Sequence, residues 1–115
     1  AGQFTARFAR LLLERKFPEE VQVLKVEVPS DATPQTAWEL CRLTRQRYYD
    51  PTKPERASWD VPGSIGYREA MHLEDEPPDT DAFVLRKKRL VAVTPLGLDL
   101  TSRVDMASLE QLMRK

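Results

Sequence analysis

The chain has 115 residues, with 18 Lys plus Arg against 18 Asp plus Glu, one His and one Cys. That length suits a single domain with one modest core, and a net charge of zero supplies no global pull toward nucleic acid or a membrane surface. One Cys excludes an internal disulfide, one Cys with one His excludes a Cys/His zinc cluster, and no apolar run is long enough to span a bilayer. The start at Ala1-Gly2-Gln3, without Met, points to a domain, residues 1–115, excised from a larger cytoplasmic protein.

Residues 3–16 carry two periodicities. Phe4, Phe8, Leu11 and Leu12 fit one face of a helix, while Phe4, Ala6 and Phe8 against Thr5, Arg7 and Ala9 fit a strand. The Ala, Leu, Arg and Glu content favours the helix. In residues 22–28, Leu24, Val26 and Val28 alternate with Val23, Lys25 and Glu27, the pattern of a half-buried strand. Pro29 ends it and Ser30-Asp31 turn the chain. Thr33 then stands as an N-cap with Pro34 at the first helical position. Ala37, Trp38, Leu40, Cys41, Thr44 and Tyr48 share an arc of the helical wheel opposite Glu39, Arg42 and Gln46. This predicts the main helix over about 34–49, stopped by Asp50-Pro51, with Leu40 in the core and Cys41 a small buried hydrophobe.

Residues 50–64 read as a Pro-rich loop and 65–73 as an irregular strand. Glu74–Asp81 is acidic and carries Pro77-Pro78, the composition of a solvated surface loop. Phe83–Val93 reads as strand, either one long strand or a hairpin turning at Arg86–Arg89. Thr94–Gly97 is a β-turn and Leu98–Val104 a short strand. Asp105 caps a short C-terminal helix carrying Met106, Leu109, Leu112 and Met113.

The usual catalytic kits are missing. A Cys41–His72 pair requires an accessible Cys41, which the apolar position argues against. Pro62-Gly63-Ser64-Ile65-Gly66 has the outline of a nucleophile elbow but places Pro where the first Gly is needed. The acidic run lacks the central Gly of a calcium loop, and no Gly-rich phosphate loop exists. No catalytic residue, metal or cofactor is therefore assigned.

The run Val26-Glu27-Val28-Pro29-Ser30-Asp31-Ala32-Thr33 resembles the second strand and helix entry of the ubiquitin-like β-grasp fold. Asp81-Ala82-Phe83-Val84-Leu85-Arg86-Lys87-Lys88 resembles the last strand of Ras-association domains, a topology shared with the first lobe of FERM domains. The resemblance implies a β-grasp-like α+β fold. Its mixed sheet holds residues 22–28 and 83–93, with a strand at 3–16 in a hairpin with 21–28, and the 34–49 helix packs across it. It also implies a protein-interaction module, with no enzymatic activity, that binds a small Ras-like GTPase through Arg7, Lys25, Arg42 and Arg45. Arg86, Lys87, Lys88 and Arg89 form a second basic patch. Two other readings remain open. One is an RNA- or ribosome-associated domain stacking bases on Tyr48, Tyr49 and Trp59, which the neutral charge disfavours. The other is a non-catalytic regulatory or docking domain of a larger enzyme.

Overall fold

The computed structural model describes residues 1–114. In chain order the elements are α1 (Gly2–Glu14), β1 (Val23–Glu27), β2 (Trp38–Leu40), β3 (Tyr49–Thr52), β4 (Gly66–Glu69), a 3-10 turn (Leu73–Asp75), α2 (Asp81–Arg86), β5 (Val91–Leu96) and α3 (Met106–Met113). The class is α+β with a mixed sheet, as the alternating and helical patterns require. The β-grasp arrangement is not what the chain adopts.

β5 is the central strand. It pairs antiparallel with β1, Val26 opposite Val93, and parallel with β2, Leu40 opposite Val93. Val91, Ala92, Val93 and Thr94 are all fully buried, because helices cover both faces of the strand. Val91 and Val93 pack with Phe4 and Phe8 of α1 and with Leu24, Val26 and Val28. Ala92 faces the other way, against Val84 of α2 and Cys41. A strand buried on both faces loses the apolar–polar alternation of a half-buried one, which is why Leu90-Val91-Ala92-Val93 reads as a continuous apolar run.

Three sequence expectations are corrected here. Residues 3–16, required as strand by the resemblance, are helical as far as Glu14 in α1, because Phe4 and Phe8 at i and i+4 bury together on the β1–β5 face. The predicted helix over 34–49 does not form. Thr33 closes a local turn instead: its N–H donates to the Thr36 hydroxyl at 2.8 Å, and the Thr36 N–H returns to the Thr33 carbonyl at 3.0 Å. Residues 38–40 then satisfy the open edge of β5, with Val91 N–H donating to Ala37 O at 3.0 Å and Cys41 N–H to Val93 O at 2.9 Å. An edge of unpaired backbone on a buried strand costs more than a weak helix propensity gains. Leu40 is 64% exposed rather than core, whereas Cys41 is buried as expected.

The third correction concerns 83–93, which is not one strand. Thr80 caps α2 by accepting from the Phe83 N–H, and the helix runs only to Arg86. Arg89 adopts φ 57°, the left-handed conformation that reverses the chain into β5. The Leu98–Val104 segment contains no strand.

β3 and β4 form a separate antiparallel ribbon, with Pro51 opposite Tyr67. Pro51 has no N–H to give a ladder, which suits a two-stranded ribbon with open edges. Gly66 leaves room there for the Thr52 side chain: a Cβ would stand 2.5 Å from the Thr52 Oγ1 across the ribbon, so the hydroxyl would have to rotate away. α3 is capped by Asp105, which accepts from the Ser108 N–H at 3.1 Å. No described helix is long and apolar enough to cross a membrane.

Phe8→Ala should destabilise the protein by about 3–5 kcal/mol, the range for a buried aromatic truncated to Ala. Leu40→Ala should change stability by less than about 0.5 kcal/mol. Urea titration of the two variants measures both, and equal effects would place the core elsewhere.

Candidate functional site

The first residues of α2 stand over a cleft of about 460 Å³ lined by Lys25, Ser30, Thr44, Tyr48, Arg86 and Arg89 among others. At its floor is Asp81, 2% exposed. Its position follows from local sequence: Thr80 caps the helix, so Asp81 occupies the first turn, where a carboxylate meets free N–H groups. Oδ1 accepts from the Ala82 N–H and from the Thr44 N–H, each at 2.8 Å. Oδ2 accepts from Lys25 Nζ at 2.7 Å. The Asp81 N–H donates to Arg42 O at 2.9 Å, so the 41–44 segment is tied to α2 twice.

Burial pushes the Asp81 carboxyl upward, but the Lys25 ammonium and the Thr44 and Ala82 N–H groups outweigh it and hold the group below the usual carboxylate range. Burial also acts downward on Lys25, and its bonds to Asp81 and to Glu27, the latter at 2.8 Å, overcome that and raise it above the ordinary lysine value. Every oxygen of Asp81 is occupied. It is a structural acceptor that fixes Lys25 at the cleft wall, not a free base.

The remaining cations of the cleft are also held. Arg86 pairs with Glu69 at 2.9 Å and lies 4.7 Å over the Tyr48 ring. Arg89 pairs with Asp31, a hydrogen bond that holds the Asp31 carboxyl low. The result is a charge-balanced cleft with three fixed cations and an aromatic wall, able to receive an anionic, planar ligand by exchange of carboxylate partners.

The structure thus divides the sequence-assigned basic residues. Lys25, Arg86 and Arg89 meet in this cleft although they came from two separate sets. Arg42 and Arg45 line a different cleft, and Arg42 pairs with Asp79 at 2.6 Å. Arg7 is on exposed α1, 6.0 Å from the Trp38 ring, with no part in either. Lys87 is exposed at the end of α2, and Lys88 pairs with Glu39 at 2.7 Å. No continuous basic hairpin edge forms, because residues 3–16 are helix. Among the described residues no group of three or more His, Cys, Asp or Glu side chains is placed to hold a metal. His72 is on the surface beside Glu74, whereas Cys41 is buried against Thr94 and Val93, and burial pushes its thiol up.

Sequence reasoning missed Asp81 and Glu76, both inside the segment read as a solvated acidic loop; both are buried. The signal for Asp81 was present: Thr80 directly before Asp81-Ala82-Phe83-Val84-Leu85 is a capping residue before an apolar run.

No protein-family model matches the chain. The chain is similar to proteins named 5'-nucleotidase SurE. It is 42% identical over 114 residues to that of Thermococcus gammatolerans, covering 98% of this chain and 42% of that protein. It is 40% identical over 114 residues to that of Thermococcus kodakarensis, covering 98% and 43%. It is 35% identical over 100 residues to that of Methanocaldococcus jannaschii, covering 87% and 36%. The chain therefore spans well under half the length of these relatives. A similarity of this extent overturns the ubiquitin-like, Ras-association resemblance, which rested on two short runs of common residues. With it go the GTPase-binding module and the exclusion of an enzyme, since nearly every residue aligns with proteins named as nucleotidases.

The Asp81–Lys25 pair sets a pH dependence with two limbs. Asp81 is depressed on folding, so its contribution is present above the unfolded carboxylate value near ~4 and is lost as pH falls through the folded value. Lys25 is raised, so its contribution is full below ~10.4 and is lost as pH rises through the folded value. Asp81→Asn should lower stability at pH 7 by roughly 1–3 kcal/mol, discounted because Lys25 is partly exposed, and should flatten the acid limb. Thermal unfolding from pH 2 to pH 8 measures this. An unchanged acid limb would show that Asp81 is not the group titrating.

Proposed function

We propose that this chain is part of a phosphohydrolase of the SurE kind, acting on nucleoside 5'-monophosphates. The observation that carries the reading is the 42% identity extending over 98% of the chain. The cleft beneath α2 is compatible with it: Lys25, Arg86 and Arg89 are cations suited to a phosphate, and Tyr48 offers a ring face for a planar base.

Phosphoester hydrolysis at neutral pH needs a positioned nucleophile and charge stabilisation on the phosphoryl oxygens, often from a divalent metal. The described residues supply cations for the second requirement. They do not fit a metal, having no cluster of three candidate ligands. Asp81 has no free oxygen and Cys41 is buried with its thiol pushed up, so neither acts as nucleophile. The role of this chain in the reading is to form a wall of the substrate cleft and hold its cations.

A chimera tests this directly. The matching stretch of the Thermococcus gammatolerans nucleotidase would be replaced by this chain, and phosphate release from AMP, GMP, CMP and UMP followed colorimetrically. The chimera should retain at least about a tenth of the parent rate, and Arg86→Ala within it should raise KM about tenfold, the scale for loss of one charge-assisted contact. A folded chimera without phosphate release would overturn the reading.

A further inference from the structure

A second cleft, of about 700 Å³, lies between residues 42–46 and 75–80. Its walls include Arg45, Gln46, Asp75 and Thr80, and Glu76 also lines it. Glu76 is 4% exposed, and neither of its carboxylate oxygens has a hydrogen-bond partner among the described residues. This is unusual physically. A carboxylate shut away from water is strongly disfavoured unless donors replace the water it lost. Asp81, five residues on, shows the ordinary solution, with three donors on two oxygens. The backbone of Glu76 is held, since its N–H donates to Leu73 O at the end of the 3-10 turn and Pro77 follows it.

We propose that this cleft binds a small ligand presenting two adjacent, coplanar N–H donors to the Glu76 carboxylate. Two unpartnered acceptor oxygens on one carboxylate match such an edge in a bidentate fashion once the side chain turns into the cleft. The chemistry is that of the guanine Watson–Crick edge, N1–H with N2–H, and of a guanidinium group. Adenine offers one N–H beside an acceptor nitrogen, cytosine does the same, and uracil flanks its single N–H with carbonyls. Each of these would set a lone pair against a carboxylate oxygen. Arg45, exposed on the same cleft, supplies a cation for a phosphate on a guanine nucleotide. This cleft is separate from the one beneath α2 that carries Lys25, Arg86 and Arg89, and the inference does not depend on hydrolytic activity.

Titration calorimetry of the protein with GMP, guanosine, AMP and agmatine tests the proposal. GMP should bind at least tenfold more tightly than AMP, and Glu76→Gln, which puts an amide where an oxygen accepted, should abolish that preference. Arg45→Ala should weaken GMP and leave guanosine unchanged if the nucleotide is the source of the edge. Binding of agmatine without GMP would assign the same chemistry to a guanidinium ligand instead. A thermal shift with each ligand gives a second readout. Glu76→Gln is isosteric and replaces a carboxylate that has no donors, so it should unfold no earlier than the parent, and a lost shift in that variant reports lost binding. Binding of none of the four, or GMP binding unaltered in Glu76→Gln, would overturn the proposal.

Discussion

The Asp81 carboxylate joins three parts of the chain that share no continuous element. Through Lys25 it holds β1, through the Thr44 N–H it holds the segment leaving β2, and through Ala82 it completes the first turn of α2. A single buried anion satisfied by three donors from separate segments leaves little slack in their relative position. Buried charge is expensive, and here each donor offsets part of that expense. The cleft beneath α2 inherits this constraint. Lys25 is at its wall because Asp81 fixes it there, and Arg86 is at its rim because the same carboxylate anchors the helix that carries it.

The sheet imposes the second constraint. β5 is short, but Val91–Thr94 are buried on both faces, and Ala92 and Val93 are paired on both edges. Its two clusters differ in character. The α1 side is filled by Phe4, Phe8 and branched side chains, whereas the α2 side holds the small residues Ala92 and Cys41 around Val84. The thin side lets α2 approach closely, which brings its N-terminal Asp81 within reach of Lys25 on the neighbouring strand. A larger residue at Ala92 would push α2 outward and lengthen the 2.7 Å contact on which the cleft depends.

Part of this was readable from the residues alone. β1 has clean alternation bounded by Pro29, and α3 has a capping Asp before its apolar residues; both stand as expected. The failures share one physical cause. Residues 34–49 have a helical arc, yet the open backbone edge of β5, more than fifty residues away in sequence, recruits residues 38–40 as a strand. Local periodicity carries no trace of such a demand. The acidic stretch misled for a related reason: Asp81 and Glu76 have the composition of a wet loop, and only tertiary packing buries them. Lys25, Arg86 and Arg89 were all singled out as basic groups, but in two separate sets, Lys25 at a hairpin edge that does not form and Arg86 and Arg89 in a second patch. Their convergence follows instead from α2 lying across the sheet.

The late position of the central strand in the chain has a consequence for biosynthesis. β1 and β2 have no direct pairing with each other, and both wait for residues 91–96. Until that stretch is made, β1 and β2 lack their shared partner strand, and Phe4 and Phe8 of α1 lack the Val91 and Val93 side chains they pack against. Contacts of long sequence separation also close slowly, since the intervening chain must first lose its freedom. The apolar stripe of α1 is therefore made well before the strand that buries it, and formation of this sheet is tied to its last strand.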